Sequence, residues 1–271
     1  MNPRLLVVTP TLGVSRHLDA TVASVAAQPL RIAHVLSAPA SRIVDLRQRY
    51  PNAFVIRDGG PVGGIYGALN AALLQDQPPW DWFTYINDDD VLQPGFTAVA
   101  RRHFARPNPE PVTYGRVEQI DEDGVHTGFV TTERNPRRFG ALLQQGISPL
   151  MQQGMLFRRD CVERLSGFDP SYRLCADLDF WLRASTGGWR FRFYPAVVAS
   201  FRLRAGQLSG DTQRTLREQR EIVSRLFSRR LPAWRLRLAR WQYRLANLPL
   251  YLERIRRHGL VTSYEMLEQA R

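Results

Sequence analysis

The first 110 residues alternate in a way that admits few folds. Short apolar runs, each ended by turn residues, are followed by segments with helical periodicity. Residues 4–9 read as a buried strand stopped by Pro10, and Ser15 is placed to cap a helix reaching Gln28. A second strand fits 31–37, a helix 41–50 and a third strand 53–57. Gly59, Gly60, Pro61, Gly63 and Gly64 form a turn-rich loop, and a helix follows from Ile65 to Gln75. Residues 82–87 make the next strand and run into Asp88, Asp89 and Asp90. Pro94 then opens a helix at the first-turn position proline favours, reaching Arg106. Strands alternating with helices through short links predict an α/β fold, with a mostly parallel sheet and helices on both faces. Ligands of such sheets bind beyond the carboxyl ends of the strands. Thr9-Pro10-Thr11, the glycine loop and the Asp triplet all fall at that edge.

The second half is less regular. Strands are predicted at 112–118 and 125–132 around an Asp121–Gly124 hairpin signal, with helices at 137–145, 159–166 and 176–185. Two strands, 190–194 and 196–203, precede a long helical tail from Asp211. The reading is a domain over 1–210, divided near 110 into halves 1–110 and 111–210, followed by a helical extension over 211–271.

Charge separates the same regions. All 37 basic residues are arginine, and the formal net charge is +12. The first 200 residues hold 21 arginines against 19 acids, and the last 71 hold 16 against 6. A near-neutral domain argues against a nucleic-acid-binding core, so no nucleic-acid partner is expected. In the tail, Trp234, Leu238, Trp241, Leu245 and Leu248 recur at three- and four-residue steps, flanked by Arg235, Arg237, Arg240 and Arg244. Arg254, Arg256 and Arg257 follow Pro249. Such a stripe either packs on the domain or meets an anionic membrane surface. No run of about 18 apolar residues and no N-terminal leader pattern is visible, so no membrane crossing is expected. Two cysteines, Cys161 and Cys175, make no disulfide framework. The expected location is the cytoplasm, free or peripheral on the cytoplasmic membrane face.

Asn87-Asp88-Asp89-Asp90 carries the chemistry. Three successive carboxylates at a strand end repel one another, and a hard divalent cation that also holds diphosphate oxygens would relieve them. The competing reading is a solvated acidic turn ahead of the Pro94 helix. The two cysteines have no histidine partners at zinc spacing, the five histidines are scattered, and Gly59–Gly64 is not a phosphate-loop or dinucleotide fingerprint.

Five segments in order resemble the family 2 glycosyltransferases, of GT-A type and Rossmann-like topology. Val8-Thr9-Pro10-Thr11 is similar to the family's first strand and turn. Gly64-Ile65-Tyr66-Gly67-Ala68-Leu69-Asn70 is similar to a GIYDAMN-like segment, and Tyr85 to Leu92 to its DXD-type motif. Gln153 to Arg159, followed by Gly167-Phe168-Asp169, resembles the strand and turn before the acceptor site; Ala176 to Arg183 resembles the helix that presents the base. The resemblance covers about residues 4–210. It implies a nucleotide-diphosphate sugar donor held by 1–110 and a saccharide or lipid-linked saccharide acceptor, of the kind used in the cell envelope, held by 111–210. It implies Mn2+ or Mg2+ at Asp89, supported by Asp88 and Asp90, and donor contacts from Thr9, Pro10, Thr11, Gly64, Tyr66, Asn70, Asn87 and Asp88. It implies Asp177 as the base of an inverting displacement, with Gly154, Met155 and Trp181 beside the acceptor; Trp181 and Phe180 read on their own as helix core, although an aromatic there could stack on a sugar.

Asp177 also has a physical case of its own: it begins an apolar helix whose low dielectric would raise its pKa toward that of a base, although an Asp at a helix N-terminus also stabilises the dipole. Three positions depart from the family pattern. Gly67 replaces an acid, and Leu36-Ser37-Ala38-Pro39 lacks the usual acidic segment, leaving Asp58 as a substitute for recognising the base or as a turn residue. Arg204 stands where a histidine often ligates metal; arginine cannot ligate, but it binds diphosphate bidentately or lies on the surface. A sugar nucleotidyltransferase on a related sheet, and a non-catalytic membrane or nucleic-acid binder acting through its tail, are the alternatives.

Overall fold

The computed structural model describes residues 3–60, 63–75, 78–204, 207, 210–227 and 229–259, with the backbone alone at His258. Nine strands among them form one sheet. Its first half is parallel. β1 (Leu5–Pro10) lies between β2 (Ile32–Ala38) and β4 (Trp82–Tyr85), and β3 (Phe54–Arg57) flanks β2 at the edge. The second half is mixed. β8 (Leu156–Arg158) runs antiparallel to both β4 and β6 (Val112–Ile120). β9 (Phe191–Arg202) is parallel to β6 and antiparallel to the two-residue β5 (Val91–Leu92), and β7 (His126–Phe129) folds back on β6.

The composition of β1 explains why both faces carry helices. Leu6 and Val8 join a core with Tyr66 and Leu69 of α3 (Gly64–Leu74), whereas Leu5 and Val7 pack with Val25 of α1 (Leu18–Ala26) and Phe96 of α4 (Pro94–Phe104). Four fully buried aliphatics contribute about 1.5–3 kcal/mol each, far more than the spread of about 1 kcal/mol in strand propensity. Burial on both sides therefore selects a continuous apolar run rather than an alternating one. At the edge, β3 alternates instead, with Val55 buried and Phe54 exposed. α2 (Ile43–Arg49) covers it through Leu46 on the α1 and α4 side of the sheet. The other face is covered by α3, α5 (Phe139–Leu143), α6 (Arg159–Arg164), α7 (Ala176–Thr186) and α8 (Thr212–Leu226).

Four expectations change. Ser15 does not cap α1: the cap position is His17, with no side-chain bond, and Ser15 Oγ donates instead to the Asp88 carbonyl at 2.9 Å. The expected helix at 137–145 is a short 3-10 turn at Pro136–Arg138 leading into the five residues of α5. β9 is one strand and not two. Pro195 lacks an N–H for the ladder, and the register slips between Tyr114 and Val117, so a bulge absorbs the proline without ending the strand.

The tail is the fourth. α8 is not an appendage to the core, because Ile222 is fully buried within it and Val223, Leu226 and Phe227 pack against it. Gly140 of α5 lies so close that a side-chain carbon there would strike the Phe227 ring. α9 (Ala233–Ala246) and α10 (Leu248–His258) follow. α9 docks through Leu236, Ala239 and Tyr243, beside Ala141 of α5, and not through the tryptophan stripe. No described helix is long and apolar enough to cross a membrane.

Candidate active site

The strand registers bring the first cluster together. Pro10 pairs with Ser37, Ala38 with Arg57, and Val8 with Tyr85, so Thr11, Asp58 and the segment 87–90 leave the sheet at one edge. There the Asp triplet is a network rather than a solvated turn. Thr11 Oγ1 donates to Asp88 Oδ2 at 2.5 Å and itself accepts the Gly13 N–H at 2.9 Å. Burial raises the Asp88 pKa, against the lowering effect of the Thr11 bond.

Asp90 is fully buried. Its Oδ1 accepts from the Arg202 amide at 2.8 Å, and its Oδ2 accepts from Gln153 Nε2 at 2.8 Å and Asn87 Nδ2 at 3.3 Å. Burial first, then the charge of Asp89, pushes this carboxyl well up. Both oxygens of Asp90 thus accept hydrogen bonds from the protein, which makes it an internal strut of the segment expected to support a metal.

Asp89 differs. Its only charged partner among the described residues is Arg204, whose Nε donates to Oδ2 at 2.6 Å, and its Oδ1 has no hydrogen-bond partner among them. Burial pulls the Arg204 pKa down, but the Asp89 bond and the charges of Asp89, Asp88 and Asp90 leave it raised. Arg202, which sequence reasoning missed, ties the site to the hairpin: Nε donates to the Asp89 carbonyl, and Nη1 to the carbonyls of Asp121 and Glu122, all at 2.9 Å. The positive charge that three carboxylates demand is supplied by these two arginines from the end of β9.

Among the described residues no three His, Cys, Asp or Glu side chains converge as a metal cluster. Mg2+ and Mn2+ sites of phosphate-transfer type do not require one, because one or two carboxylates with substrate phosphates and water complete the shell. Asp89, with one uncommitted hard oxygen, and the adjacent Asp88 fit that pattern.

The second cluster centres on Asp177, in the first turn of α7. Oδ1 receives the Leu178 N–H at 2.7 Å and the Tyr66 hydroxyl at 3.1 Å, while Oδ2 has no partner among the described residues. Burial raises its pKa from 3.8 to about 6, against the lowering effect of those bonds. No cation faces it. Asp179, two residues on, is fully buried and paired with Arg183 and Arg225, facing elsewhere as helix geometry requires.

The clusters share a wall. Phe168 packs against Tyr66, Tyr85 and Phe180 at centroid separations of 5.7, 5.6 and 4.9 Å, joining α3, β4 and α7. Burial first, then the charges of Asp177 and Asp90, holds the Tyr85 phenol well above its ordinary pKa, so one side chain registers both carboxylates.

Several expected donor or acceptor contacts are displaced. Thr9 is fully buried near the end of β1, its side chain bonded to His34 Nε2 at 3.0 Å; burial lowers the His34 pKa to about 4. The Tyr66 hydroxyl is held between the Leu174 carbonyl at 3.0 Å and Asp177 Oδ1 at 3.1 Å. Asn70 spends both ends of its amide on Phe168, accepting its N–H at 3.0 Å and donating to its carbonyl at 2.7 Å. Gly167 alongside has φ +68, and a side chain there would come within 2.6 Å of Asn70 Oδ1. Met155 is fully buried in the core, and Trp181 is nearly so with an unpartnered indole N–H, so neither presents a face to an acceptor. Gly154 lies buried beside Gln153, under the Asp90 network. Pro10 ends β1, and Gly64 begins α3 with φ +53. Asp58 accepts the Gly60 N–H at 2.9 Å, a turn bond at the ligand edge. Pro61 lies outside the described residues.

Glu218 of α8 was also missed. Its carboxylate accepts the backbone N–H groups of Arg173, Leu174 and Cys175 at 2.8–3.1 Å, and the Arg214 side chain at 2.9 Å. It fixes the loop immediately before Asp177. No local pattern marks it, since its partners lie 43–45 residues away.

Comparison with known proteins follows this geometry. The family model described as "Glycosyltransferase like family 2" matches residues 3–244. No curated protein matches. Among solved structures, Staphylococcus aureus TarS 1-349 in complex with UDP-GlcNAc superposes with a TM-score of 0.62 at 15% identity, covering 91% of this chain and 73% of that one. The mannosyltransferase PcManGT from Pyrobaculum calidifontis, in complex with GDP-Man and Mn2+, superposes with a TM-score of 0.60 at 16% identity, covering 99% and 79%. These likenesses establish a shared fold.

Proposed function

The chain belongs to the glycosyltransferase-like family 2, and from that premise we propose that it is an inverting transferase moving a sugar from a nucleotide-diphosphate donor to an acceptor hydroxyl. The observation that carries the reading is Asp177: a carboxylate with no cation against it, one free oxygen, and a pKa near 6. That value leaves it ionised yet basic at neutral pH. Asp177 takes the proton of the acceptor hydroxyl. The acceptor oxygen bonds to the anomeric carbon as the bond from that carbon to the diphosphate oxygen breaks, and the nucleoside diphosphate leaves with the electron pair. A single base with no enzyme nucleophile inverts the anomeric configuration.

The diphosphate end belongs to Asp89 and Arg204. Asp89 orients the guanidinium through Nε, and the remaining guanidinium N–H groups suit phosphate oxygens. Asp89 and Asp88 would hold Mn2+ or Mg2+ together with the donor phosphates, where the ion offsets charge developing on the leaving group. Thr11 keeps Asp88 in place, Asn87 helps to hold Asp90 behind it, and Asp58 is the side chain at this edge suited to the ribose or base. The acceptor is a saccharide or a lipid-linked saccharide, entering over α7.

The test is calorimetric titration of UDP, GDP and their sugars, with and without Mn2+, into the wild type, Asp89→Ala and Asp177→Asn, with the anomer of the product read by NMR. Wild type should bind a nucleoside diphosphate more tightly with Mn2+, Asp89→Ala should lose that increment, and the product should be inverted. Equal metal-dependent affinity in Asp89→Ala, or a retained anomer, overturns the assignment.

A further inference from the structure

α9 carries two apolar faces, and the domain uses one. Leu236 and Ala239 pack beside Ala141, and Gln145 Nε2 donates to the Leu236 carbonyl at 2.9 Å. The Tyr243 hydroxyl donates to Thr131 Oγ1 at 2.6 Å. Buried Asn247 accepts the Thr132 N–H at 3.0 Å and donates to its carbonyl at 3.2 Å. These bonds fix the rotation of the helix. At 3.6 residues per turn, Trp234, Leu238, Trp241 and Leu245 then fall on roughly the opposite side. Both tryptophans are in fact about three-fifths exposed, Trp234 at 58% and Trp241 at 60%. Leu248, Leu252 and Ile255 continue the exposed row along α10.

Charge identifies what covers this row. Residues 229–259 hold nine arginines and a single acid, Glu253. Arg235, Arg237, Arg240, Arg244, Arg256 and Arg257 are exposed, and the Arg235 guanidinium lies 5.2 Å over the Trp234 ring. A protein partner of ordinary composition gains little from such one-signed charge, and a second copy of this chain would bring like charge against like. A bilayer of anionic lipid supplies both an apolar phase for the tryptophans and leucines and a negative surface for the arginines. We propose that the outward faces of α9 and α10 form a docking surface for an anionic lipid bilayer, on which the domain sits peripherally with Trp234 and Trp241 inserted at the interface. This inference does not depend on the nucleotide chemistry and is tested without it.

The full chain is sedimented with vesicles of phosphatidylcholine alone and with 30% phosphatidylglycerol, at low and high salt, while tryptophan emission is recorded. The variants Trp234→Ser/Trp241→Ser and Arg237→Glu/Arg240→Glu are compared, with thermal unfolding as the check that both fold; all four positions are exposed, so neither substitution touches the packed face. Partitioning onto the anionic vesicles, a blue-shifted emission, and a loss of at least about tenfold in partitioning for each variant are expected; salt should weaken wild-type binding. Wild type left in the supernatant, or partitioning unchanged by both variants, overturns the proposal. So does sedimentation velocity showing a dimer that Trp234→Ser/Trp241→Ser dissociates, because a second copy would then cover the row.

Discussion

Asp89 follows a strand and Asp177 begins a helix, and the chain surrounds the two carboxylates in opposite ways. Asp89 is met by a guanidinium at 2.6 Å, with a second arginine on its own carbonyl. Asp177 is met by a phenol and a backbone amide, and by no cation. The first environment stabilises negative charge and suits a place where more of it arrives. The second leaves negative charge costly, which makes its owner a better proton acceptor. On the proposed reading one amino acid is put to two kinds of chemistry, selected by what the surrounding elements present to it.

The contrast breaks most visibly at Asp177. Asp177→Asn should lower kcat by about 10²–10⁴-fold while nucleoside-diphosphate affinity stays within twofold, measured by turnover and calorimetry on one preparation. If both fall together, the two carboxylates form one binding unit and the division is wrong. Arg204→Ala probes the other side. Losing one charged hydrogen-bonding partner of a phosphate should weaken diphosphate binding by about 10–100-fold; an unchanged affinity would mean that Asp89 serves the cation alone.

The smallest effect is a shift in pH profile. With Asp177 near pH 6, kcat/KM should fall tenfold per unit below that value and level off above it. Tyr66→Phe removes a bond to the ionised form, so the limb should move upward, by about half a unit for a hydrogen bond of roughly 0.7 kcal/mol. Stability carries the opposite sign. The folded pKa of Asp177 lies above its reference of 3.8, so the native state binds the proton more tightly. Its contribution is largest below about pH 4 and is lost as pH rises through about 6. Activity and stability therefore pull apart across the same window.

The parallel half of the fold was legible because burial on both faces writes continuous apolar runs, as in Leu5–Val8, and because Pro10 and Pro94 punctuate them. The Asp triplet stood out because three adjacent carboxylates repel one another, and Asp177 through motif similarity, since an Asp in the first turn of a helix also has a structural reason to be there. Their partners were not legible. Tyr66 and Asn70 sit in a segment that motif similarity assigns to the donor, yet helix geometry turns both toward Phe168 and Asp177. Met155 occupies a motif position and is still buried in the core, because motif order says nothing about which face of an element is covered, whereas Trp181 is buried as its helix-core reading expects. Pro195 looked like a break because a bulge, set by the register of the neighbouring strand, has no signature in the strand that carries it. Likewise the stripe on α9 was visible, but whether it or Leu236 met the domain depended on a side chain far upstream.

Glu218 reaches back across more than forty residues to hold the backbone just ahead of Asp177. During synthesis, then, the sheet and the Asp triplet emerge from the ribosome before the loop leading to Asp177 is fixed. A nascent chain ending near residue 210 would carry every motif of the site and still lack the clamp on the loop before Asp177, the proposed proton acceptor. Competence for transfer arrives late, with the same helix that leads into the basic tail.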